Sequence, residues 1–376
     1  MAASRLALVG AGHAHLHLVR QADQLRGAGL LVTLIAPPRF QYSGLASGVL
    51  SGALEVEAAE IDVAALAADF GVRHLPQSVT AIDRGARTLS LAGGAVEPFD
   101  VLSLNIGSLA SDPHGLVATT AVWPVKPLEN LFTLRARLET GIAQGGPAPR
   151  IVVAGGGQSA LEITASLCGL FENAQLRPDV TVIAPAFGAA LPAAARARLL
   201  TSLFARGVHF RTGVVVGREP GAYRLADGAV GACDELVLAT GLVGPPLIVD
   251  LALPLDDAGR LKVTMTLQSV EDPMIFAAGD CAVIADHPRP AAGVFGVRAA
   301  PVLLTNLAAL GESRPFRTYQ PQRRWLSIMD LGDGSGLAHR GRFWWLGSAS
   351  LRLKRYLDLG FIRRMRAPLL TTGKRP

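Results

Sequence analysis

The sequence predicts an α/β fold in which two strand–helix–strand units bind dinucleotides and an accessory helical tail follows them. Three observations support this prediction. The 376 residues are 50% hydrophobic and 18% charged, a balance that provides a sizeable apolar core. Two glycine-rich turns, each between an apolar strand-like run and a helix-like run, recur about 145 residues apart. The C-terminal segment combines apolar and basic residues at helical spacing.

Composition excludes several classes of protein. Cys168, Cys233 and Cys281 are too widely spaced for a disulfide framework or a Cys-x-x-Cys metal site, so we expect a reducing, cytoplasmic compartment and no metal. No uninterrupted apolar run reaches about 18 residues, so a membrane-spanning helix is not expected. The N-terminal apolar run continues into a glycine turn instead of a cleavage site, so no signal peptide is predicted.

The first predicted unit covers residues 5–36. Gly10 permits a tight turn after the first strand, and Gly12 lets the backbone approach a pyrophosphate at the start of the next helix. His15 stands where a third glycine is usual, so we expect the helix to pack less tightly on its strand. The acidic residue expected at the end of the second strand is replaced by Ala36.

The second predicted unit covers residues 150–184 and repeats this pattern. Gly155 and Gly157 form the turn, a helix follows, and the second strand ends at Ala184, again in place of an acidic residue. One such motif would be weak evidence, because a glycine turn can simply join a strand to a helix. The pair predicts two dinucleotide sites in one chain.

Three later strands also end in glycine. Gly107 and Gly241 each close an apolar run late in the half of the chain that begins with one of the two units, and Gly279 is followed by Asp280. Open α/β sheets bind ligands at the carboxyl ends of their strands, so these positions are candidates for cofactor contacts. The alternative for Asp280 is a capping residue in a turn.

Together these features resemble the two-dinucleotide-binding flavoprotein (pyridine nucleotide-disulfide oxidoreductase) superfamily over roughly residues 4 to 335. Within it, the chain is similar to type II NADH dehydrogenases, sulfide:quinone reductases and the flavoprotein module fused to some selenide, water dikinases. The similarity to that module rests on six segments: Gly10-Ala-Gly-His-Ala-His15, Tyr42-Ser-Gly-Leu45, Leu104-Asn-Ile-Gly-Ser108, Val125-Lys-Pro127, Ala292-Gly-Val-Phe-Gly-Val-Arg298 and Leu357-Asp-Leu-Gly-Phe-Ile-Arg363.

The resemblance implies FAD at the first glycine turn and NADH or NADPH at the second, with the Asp280 carboxylate near the ribityl or pyrophosphate part of FAD. The missing strand-end acids leave the choice between NADH and NADPH open. The residues expected to bind cofactor are Gly10, Gly12, His13, Ala14, His15, Ser43, Gly44, Asn105, Gly107, Gly155, Gly157, Gln158, Ser159, Gly241, Gly279, Asp280, Phe295 and Val297.

The predicted activity is hydride transfer from NAD(P)H to FAD and then to a quinone or small acceptor. Residues 38–48 carry no cysteine where related disulfide reductases hold a redox dithiol, so disulfide reduction is excluded. Two catalytic candidates remain. Glu162 matches a glutamate that faces flavin and nicotinamide in similar type II dehydrogenases, or is an ordinary acid early in a helix. Lys126 would stabilise negative charge on reduced flavin, or is a surface lysine.

Other readings stay open. Oxidation of sulfide or selenide would require Cys281 or Cys168, and a flavin-binding sensor without turnover would explain the missing acids. The residues at 295–301 lack the glutamine-containing helix start of quinone-reducing relatives. Nucleic-acid binding is not expected, because the basic residues accompany no stacking platform.

The predicted domains are an FAD domain at 1–115 and 262–335, an inserted NAD(P) domain at 116–261, and a tail at 336–376. Within residues 341–366 of the tail, Leu353, Leu357, Phe361 and Met365 form an apolar ladder on a helix that Gly360 interrupts, opposite a basic face. The tail is expected either to contact the inner face of an anionic membrane or to dock on its own domain or in a homodimer.

Overall fold

The computed structural model describes residues 3–312 and 314–366. Ten α-helices lie within these residues, together with 3₁₀ turns at Ser43–Leu45, Val56–Ala59, Leu116–Ala118 and Gly279–Cys281. The helices are α1 (His13–Arg20), α2 (Ala22–Gly27), α3 (Ala46–Leu50), α4 (Val63–Asp69), α5 (Glu129–Ala143), α6 (Gln158–Asn173), α7 (Ala193–Ala205), α8 (Pro246–Val249), α9 (Gly293–Glu312) and α10 (Ser348–Arg366).

The described residues also contain 25 strands, most of them three to six residues long. In chain order they are β1 (Ser4–Val9), β2 (Leu30–Ile35), β3 (Arg39–Gln41), β4 (Glu60–Asp62), β5 (Arg73–Leu75), β6 (Val79–Asp83), β7 (Thr88–Leu91), β8 (Val96–Pro98), β9 (Val101–Leu104), β10 (Leu109–Ala110), β11 (Val122–Pro124), β12 (Arg150–Ala154), β13 (Asp179–Ala184), β14 (His209–Thr212), β15 (Val215–Glu219), β16 (Ala222–Leu225), β17 (Val230–Ala232), β18 (Glu235–Leu238), β19 (Leu242–Val243), β20 (Leu261–Val263), β21 (Ile275–Ala277), β22 (Ala282–Ile284), β23 (Ser327–Asp330), β24 (Gly336–Arg340) and β25 (Phe343–Gly347).

The first sheet is five-stranded and entirely parallel, in the order β21-β9-β1-β2-β5. Its central strands are buried on both faces, which is why the sequence of β1 and β9 reads as continuous apolar runs. Helix α1 packs against α9 on this sheet. The arrangement is the predicted Rossmann-like unit. Its edge strand β21 lies about 170 residues after β9 in the sequence.

The second sheet repeats this topology in the order β11-β18-β12-β13-β14, again with parallel neighbours only. Its strands lie between residues 122 and 238, inside the chain segment that separates β9 from β21. The fold is therefore two Rossmann-like sheets with one inserted into the other's connectivity, as the two glycine turns predicted. A two-stranded ribbon, β10 with β19, connects the units.

A third layer is formed by the antiparallel sheet β23-β24-β25, on which α10 packs. The predicted boundary between residues 335 and 336 falls between two strands of this sheet. Helix α10 runs through Gly360 without interruption, so the predicted break there was wrong. Packing on β23, β24 and β4 holds the helix together where glycine alone would weaken it.

The apolar ladder predicted for the tail divides between two environments. Phe361 and Met365 are buried against the chain's own core, whereas Leu357 is 46% exposed and Leu353 is partly buried. The ladder as a whole therefore does not form a free apolar face. Residues 367–376 of the predicted tail lie outside the described residues.

In the described part of the chain, one helix, α9, is long and apolar enough to span a membrane by length and composition. In the most apolar 18-residue stretch of this helix, 56% is buried within the protein, and the helix packs against α1 and α2. These contacts are those of a core helix.

Candidate functional site

A cavity of about 450 Å³ lies at the carboxyl ends of the first sheet's strands. Both the turn after β1 and the turn after β9 open into it, and so does the start of α9. The lining includes nine of the residues predicted to bind cofactor or act in catalysis: Gly10, Gly12, His13, Ser43, Asn105, Gly107, Lys126, Gly279 and Asp280.

Asn105 ties the turns of this cavity together. Its side-chain Oδ1 accepts hydrogen bonds from the backbone N–H groups of Ala14 (3.0 Å) and His15 (3.2 Å), so it caps the N-terminus of α1. Its Nδ2 donates to the carbonyl of Ala278 (2.6 Å), immediately before Gly279. Its own carbonyl accepts from the N–H of Gly12 (3.1 Å). One buried amide thus fixes β1, α1 and the Gly-Asp turn relative to each other.

The first glycine turn can lie this close to Asn105 because it lacks side chains. A Cβ on Gly12 would lie 2.5 Å from Oδ1 of Asn105, closer than two such atoms can approach. Gly10 has a positive φ of 86°, and a Cβ there would lie 2.6 Å from the carbonyl oxygen of Asn105. Glycine is therefore required at both positions, as the sequence predicted for a dinucleotide turn.

His15 does not line the cavity but lies beneath the turn, completely buried. Its Nδ1 is 2.6 Å from the Gly10 carbonyl and its Nε2 is 2.8 Å from Oγ of Ser103 on β9. Burial lowers the pKa of His15 to about 4, although the hydrogen bond to Gly10 acts in the opposite direction. The His15 imidazole, which stands in place of the third glycine, is therefore uncharged and connects α1 to the Gly10 turn and to β9 by hydrogen bonds.

His13 and Lys126 both line the first cavity. Burial, with a contribution from the positive charge of Lys126, lowers the pKa of His13 to about 4. The His13 ring makes edge contacts with Phe40 and Tyr42, at centroid distances of 5.4 and 5.3 Å. At neutral pH the His13 imidazole is therefore uncharged.

A second cavity, of about 620 Å³, lies at the carboxyl ends of the second sheet. It contains five predicted cofactor residues: Gly155, Gly157, Gln158, Ser159 and Gly241. Gly155 N–H donates to the carbonyl of Ile183 (2.8 Å), which fixes the turn against β13. The Gln158 side chain turns toward the third sheet, where its Oε1 accepts from Ser327 and lies 3.2 Å from Nε2 of His339.

The lining of the second cavity is almost free of charge. Among its described lining residues, only Asp112 and His114 have ionisable side chains, and none is arginine or lysine. The Asp112 carboxylate already accepts from the N–H groups of Leu116 and Val117. The wall at the end of β13 is formed by small apolar residues, Ala184, Pro185, Ala186, Ala189 and Ala190.

The two cavities border on one short segment. Val125 lines the second cavity, whereas the next residue, Lys126, lines the first. The β10–β19 ribbon lies at the same border, with Leu109 lining the first cavity and Leu242 the second. A ligand that fills one site thus reaches the boundary of the other.

Several predicted residues lie outside both cavities. Ala14 and His15 are buried under the first turn, and Val297 is on the exposed side of α9. Phe295 borders a separate small cavity beside α9, and the Gly44 carbonyl accepts a hydrogen bond from Lys354. Their roles as cofactor contacts stay predictions.

Glu162 lines neither cavity. Its Oε1 accepts from the Asp330 N–H (2.9 Å), and its surroundings raise its pKa, mainly through burial, against the opposing charge of Lys354. No local sequence pattern indicates that Lys354 lies near Glu162, because 192 positions separate the two residues. Only the packing of α10 brings the two elements together.

The three cysteines are all free and buried, in α6, before β18 and in the Gly-Asp turn. Burial raises the pKa of Cys168 and of Cys281 to about 12 and that of Cys233 to about 11. None of the three lines the two large cavities. Thiols in such surroundings are poor nucleophiles.

Replacing His15 with Gln should flatten the dependence of stability on pH. The folded pKa of about 4 lies below the ordinary 6.5, so the unfolded chain binds the extra proton and stability falls as pH drops from 6.5 to 4. In denaturant unfolding between pH 6.5 and 4, the slope of the unfolding free energy against pH should be smaller in His15→Gln than in the wild type by about 1.4 kcal/mol per pH unit. The exposed His209→Gln is the control, and equal slopes for all three proteins would contradict the assignment.

Replacing Asn105 with Leu should destabilise the chain by roughly 3 kcal/mol or more, because three buried backbone groups lose their partners. Asn105→Asp keeps the acceptor for the two N–H groups and should cost less. The control is Asn130→Leu, which removes one bond, to the Pro124 carbonyl. Urea unfolding of the wild type and the three variants measures these differences in unfolding free energy. Similar losses of stability in Asn105→Leu and Asn130→Leu would contradict the conclusion that Asn105 ties the turns together.

Comparison with known proteins agrees with this geometry. The chain is 31% identical over 240 residues to an NADH dehydrogenase-like protein of Mycobacterium tuberculosis, a match that covers 61% of this chain and 60% of the relative. It is 29% identical to a probable ferredoxin reductase, CtmF, of Castellaniella defragrans over 83% of this chain and 76% of the relative. The chain thus spans about three-fifths of the length of the mycobacterial relative.

Among solved structures, NDH2 from Plasmodium falciparum in complex with NADH superposes with a TM-score of 0.81 at 13% identity, covering 97% of both chains. The sulfide:quinone oxidoreductase of Aquifex aeolicus gives 0.77 at 19% identity, with 97% of this chain and 92% of that chain covered. These similarities confirm the predicted fold. The profile of the pyridine nucleotide-disulphide oxidoreductase family matches residues 4–300, and the chain therefore belongs to that family.

Proposed function

We propose that the protein is an FAD-dependent oxidoreductase that passes a hydride from NAD(P)H to FAD and then electrons to a quinone or small acceptor, without a redox dithiol. The observation that carries this proposal is the shared border of the two cavities at Val125 and Lys126. Two dinucleotides bound at the two glycine turns would meet at this border. Direct hydride transfer requires such proximity and few catalytic side chains.

The first cavity fits FAD. Its turn has the glycines that let a backbone approach a pyrophosphate. At Gly107, no atom lies within 4 Å of the position that a Cβ would occupy, so the backbone there is open to a ligand. Gly10, Gly12 and Asn105 would hold the pyrophosphate region, and Asp280 the ribityl chain. When bound, FAD supplies the two-electron acceptor. Lys126 would place its positive charge beside the ring and favour the reduced, negatively charged state.

The second cavity favours NADH over NADPH. The 2′-phosphate of NADPH normally requires an arginine or lysine, and none lines the described cavity. NADH also lacks its usual acidic partner, because β13 ends at Ala184. The apolar wall therefore tolerates the ribose hydroxyl but leaves a phosphate without compensation.

The cysteines count against a chalcogenide-oxidising reaction. Cys281 lies next to Asp280, yet its Sγ contacts the carbonyls of Leu104 and Ala278 inside the core. A relay through this sulfur would need a second thiol, and Cys168 is buried in α6. The acceptor is therefore expected to take electrons from flavin directly.

We also propose that the third layer contacts anionic membrane. Phe343 (65%), Trp345 (40%) and Tyr356 (70%) are exposed on β25 and α10. Exposed arginines at 342, 352, 363 and 364 belong to the same two elements or the turn between β24 and β25. Aromatic side chains suit the headgroup region, and each nearby arginine adds about 1 kcal/mol on an anionic surface. This location would give the site access to a lipid-soluble quinone.

An anaerobic titration tests the redox proposal. NADH should bleach the visible flavin band, and NADPH should need roughly tenfold higher concentration, because one uncompensated charged group costs about 1.5 kcal/mol or more. Cys281→Ser and Cys168→Ser should bleach like the wild type. A purified folded protein without flavin, or a flavin that neither nucleotide reduces, would count against the proposal, and loss of bleaching in a cysteine variant would revive the thiol relay.

Vesicle flotation tests the membrane proposal. The wild type should float with phosphatidylserine-rich vesicles and not with phosphatidylcholine vesicles, and binding should weaken with salt. Phe343→Ser with Tyr356→Ser should reduce binding about tenfold. Val230→Ser, which is 64% exposed on β17, is the control and should bind like the wild type. Binding that is equal on both lipids, or absent, would refute it.

A further inference from the structure

The C-terminal helix α10 reaches back to the segment that borders the first cavity. Nζ of Lys354 donates to the Gly44 carbonyl (2.6 Å) and lies 3.1 Å from Oδ2 of Asp358, one turn later. The side chains of Lys354 and Asp358 are only 12% and 13% exposed. Burial of an ion pair is costly, so a pair that serves only the helix would be better placed in solvent. Its backbone partner, Gly44, directly follows Ser43 in the cavity lining.

The second oxygen of Asp358 extends the contact. Its Oδ1 accepts from the Tyr42 hydroxyl (2.9 Å), and the Tyr42 ring stacks on Phe361 at 4.9 Å. Phe361 in turn packs on His13, which lines the cavity. Burial and the Asp358 charge raise the pKa of Tyr42, so its hydroxyl remains the donor. Two residues on either side of Ser43 are thus held by one pair on α10.

The close fit depends on Gly44. A Cβ at this position would lie 2.5 Å from the Tyr42 ring and 2.8 Å from Oδ1 of Asp358. Glycine therefore lets α10 approach the segment until Lys354 can reach its backbone. The sequence predicted Gly44 as a cofactor contact, whereas the structure gives it this contact with the C-terminal helix.

Lys354 also faces the second site's helix. Burial lowers its pKa, but the carboxylates of Glu162 and Asp358 outweigh burial and raise it. Glu162 is on α6, which begins at the second glycine turn, and Asp330 on β23 faces the same group. The Lys354 ammonium is thus ion-paired with Asp358, and the negative charges of Glu162 and Asp330 act on it from farther away.

We propose that Lys354 and Asp358 are positioning residues of the flavin site: they hold the Tyr42–Gly44 segment at the lining of the first cavity, and the Lys354 ammonium offsets nearby carboxylates that would repel a reduced, negatively charged flavin. This inference rests on the proposed function. The pair would make the C-terminal helix a part of the redox site, in the place where related disulfide reductases carry their dithiol. The tail's contribution is then to shape the flavin pocket, in addition to any contact with lipid.

The test compares FAD affinity and midpoint potential in the purified full-length protein. Lys354→Met should weaken FAD binding at least tenfold and should weaken binding of the reduced cofactor tenfold more, which lowers the two-electron midpoint potential by about 30 mV. Tyr42→Phe removes only the hydroxyl and keeps the ring stack, so it should fold and weaken FAD binding several-fold. Arg352→Met, on the exposed face of the same helix, is the matched control.

The outcomes separate this inference from the proposed function. A wild-type protein that binds no FAD overturns both. A wild type that binds FAD, with Lys354→Met and Tyr42→Phe matching it in affinity and potential, overturns the positioning role alone. Lower thermal stability in these variants with unchanged affinity and potential also overturns it, because a merely structural contact would give that result. If Lys354→Met does not fold, Tyr42→Phe and Asp358→Asn decide by the same measurements.

Discussion

The buried amide of Asn105 is the constraint on which the first site depends. It bonds to two N–H groups of α1 and to the carbonyl of Ala278, and its own backbone accepts from Gly12. Glycine at positions 10, 12 and 279 is needed because the backbone at all three positions packs directly on this residue. The cavity is thus defined by contacts among turns that come from three distant parts of the chain. A rigid cradle of this kind fixes a cofactor without many side chains of its own.

The second site is built by the same topology with different chemistry. Its glycine turn is fixed against β13, but its lining has little charge, and the first residue of its helix, Gln158, hydrogen-bonds to the third sheet. Binding there would rely on backbone groups and the helix N-terminus, which attract any pyrophosphate. Such a site distinguishes nucleotides mainly because it has no basic side chain to compensate an additional phosphate charge. The third sheet supports it from behind, so the C-terminal layer touches the surroundings of both sites.

Local signals in the sequence predicted most of the fold. Each glycine turn lies between a strand and a helix that are adjacent in sequence, and this short-range pattern identifies a Rossmann-like unit without any knowledge of tertiary contacts. The strand β21 was predictable because an apolar run ends at Gly279-Asp280, but its pairing with β9 was not. Contacts between residues that are far apart in the sequence could not be predicted. Lys354 meets the Gly44 carbonyl across 310 positions, and nothing in either segment indicates the other. The pattern likewise could not show that His15 would be braced by Ser103.

The tail shows why helical periodicity alone does not identify a membrane surface. An apolar stripe with basic residues opposite it is equally compatible with lipid and with the protein's own core. Here the stripe divides: Phe361 packs on Tyr42 and His13, whereas Leu357 remains exposed to solvent. The polar residues decide between the alternatives. A lysine that only snorkels beside lipid keeps its ammonium in water, whereas Lys354 gives up most of its hydration for a carbonyl and a carboxylate. The helix is therefore anchored by a buried charge before any membrane is involved.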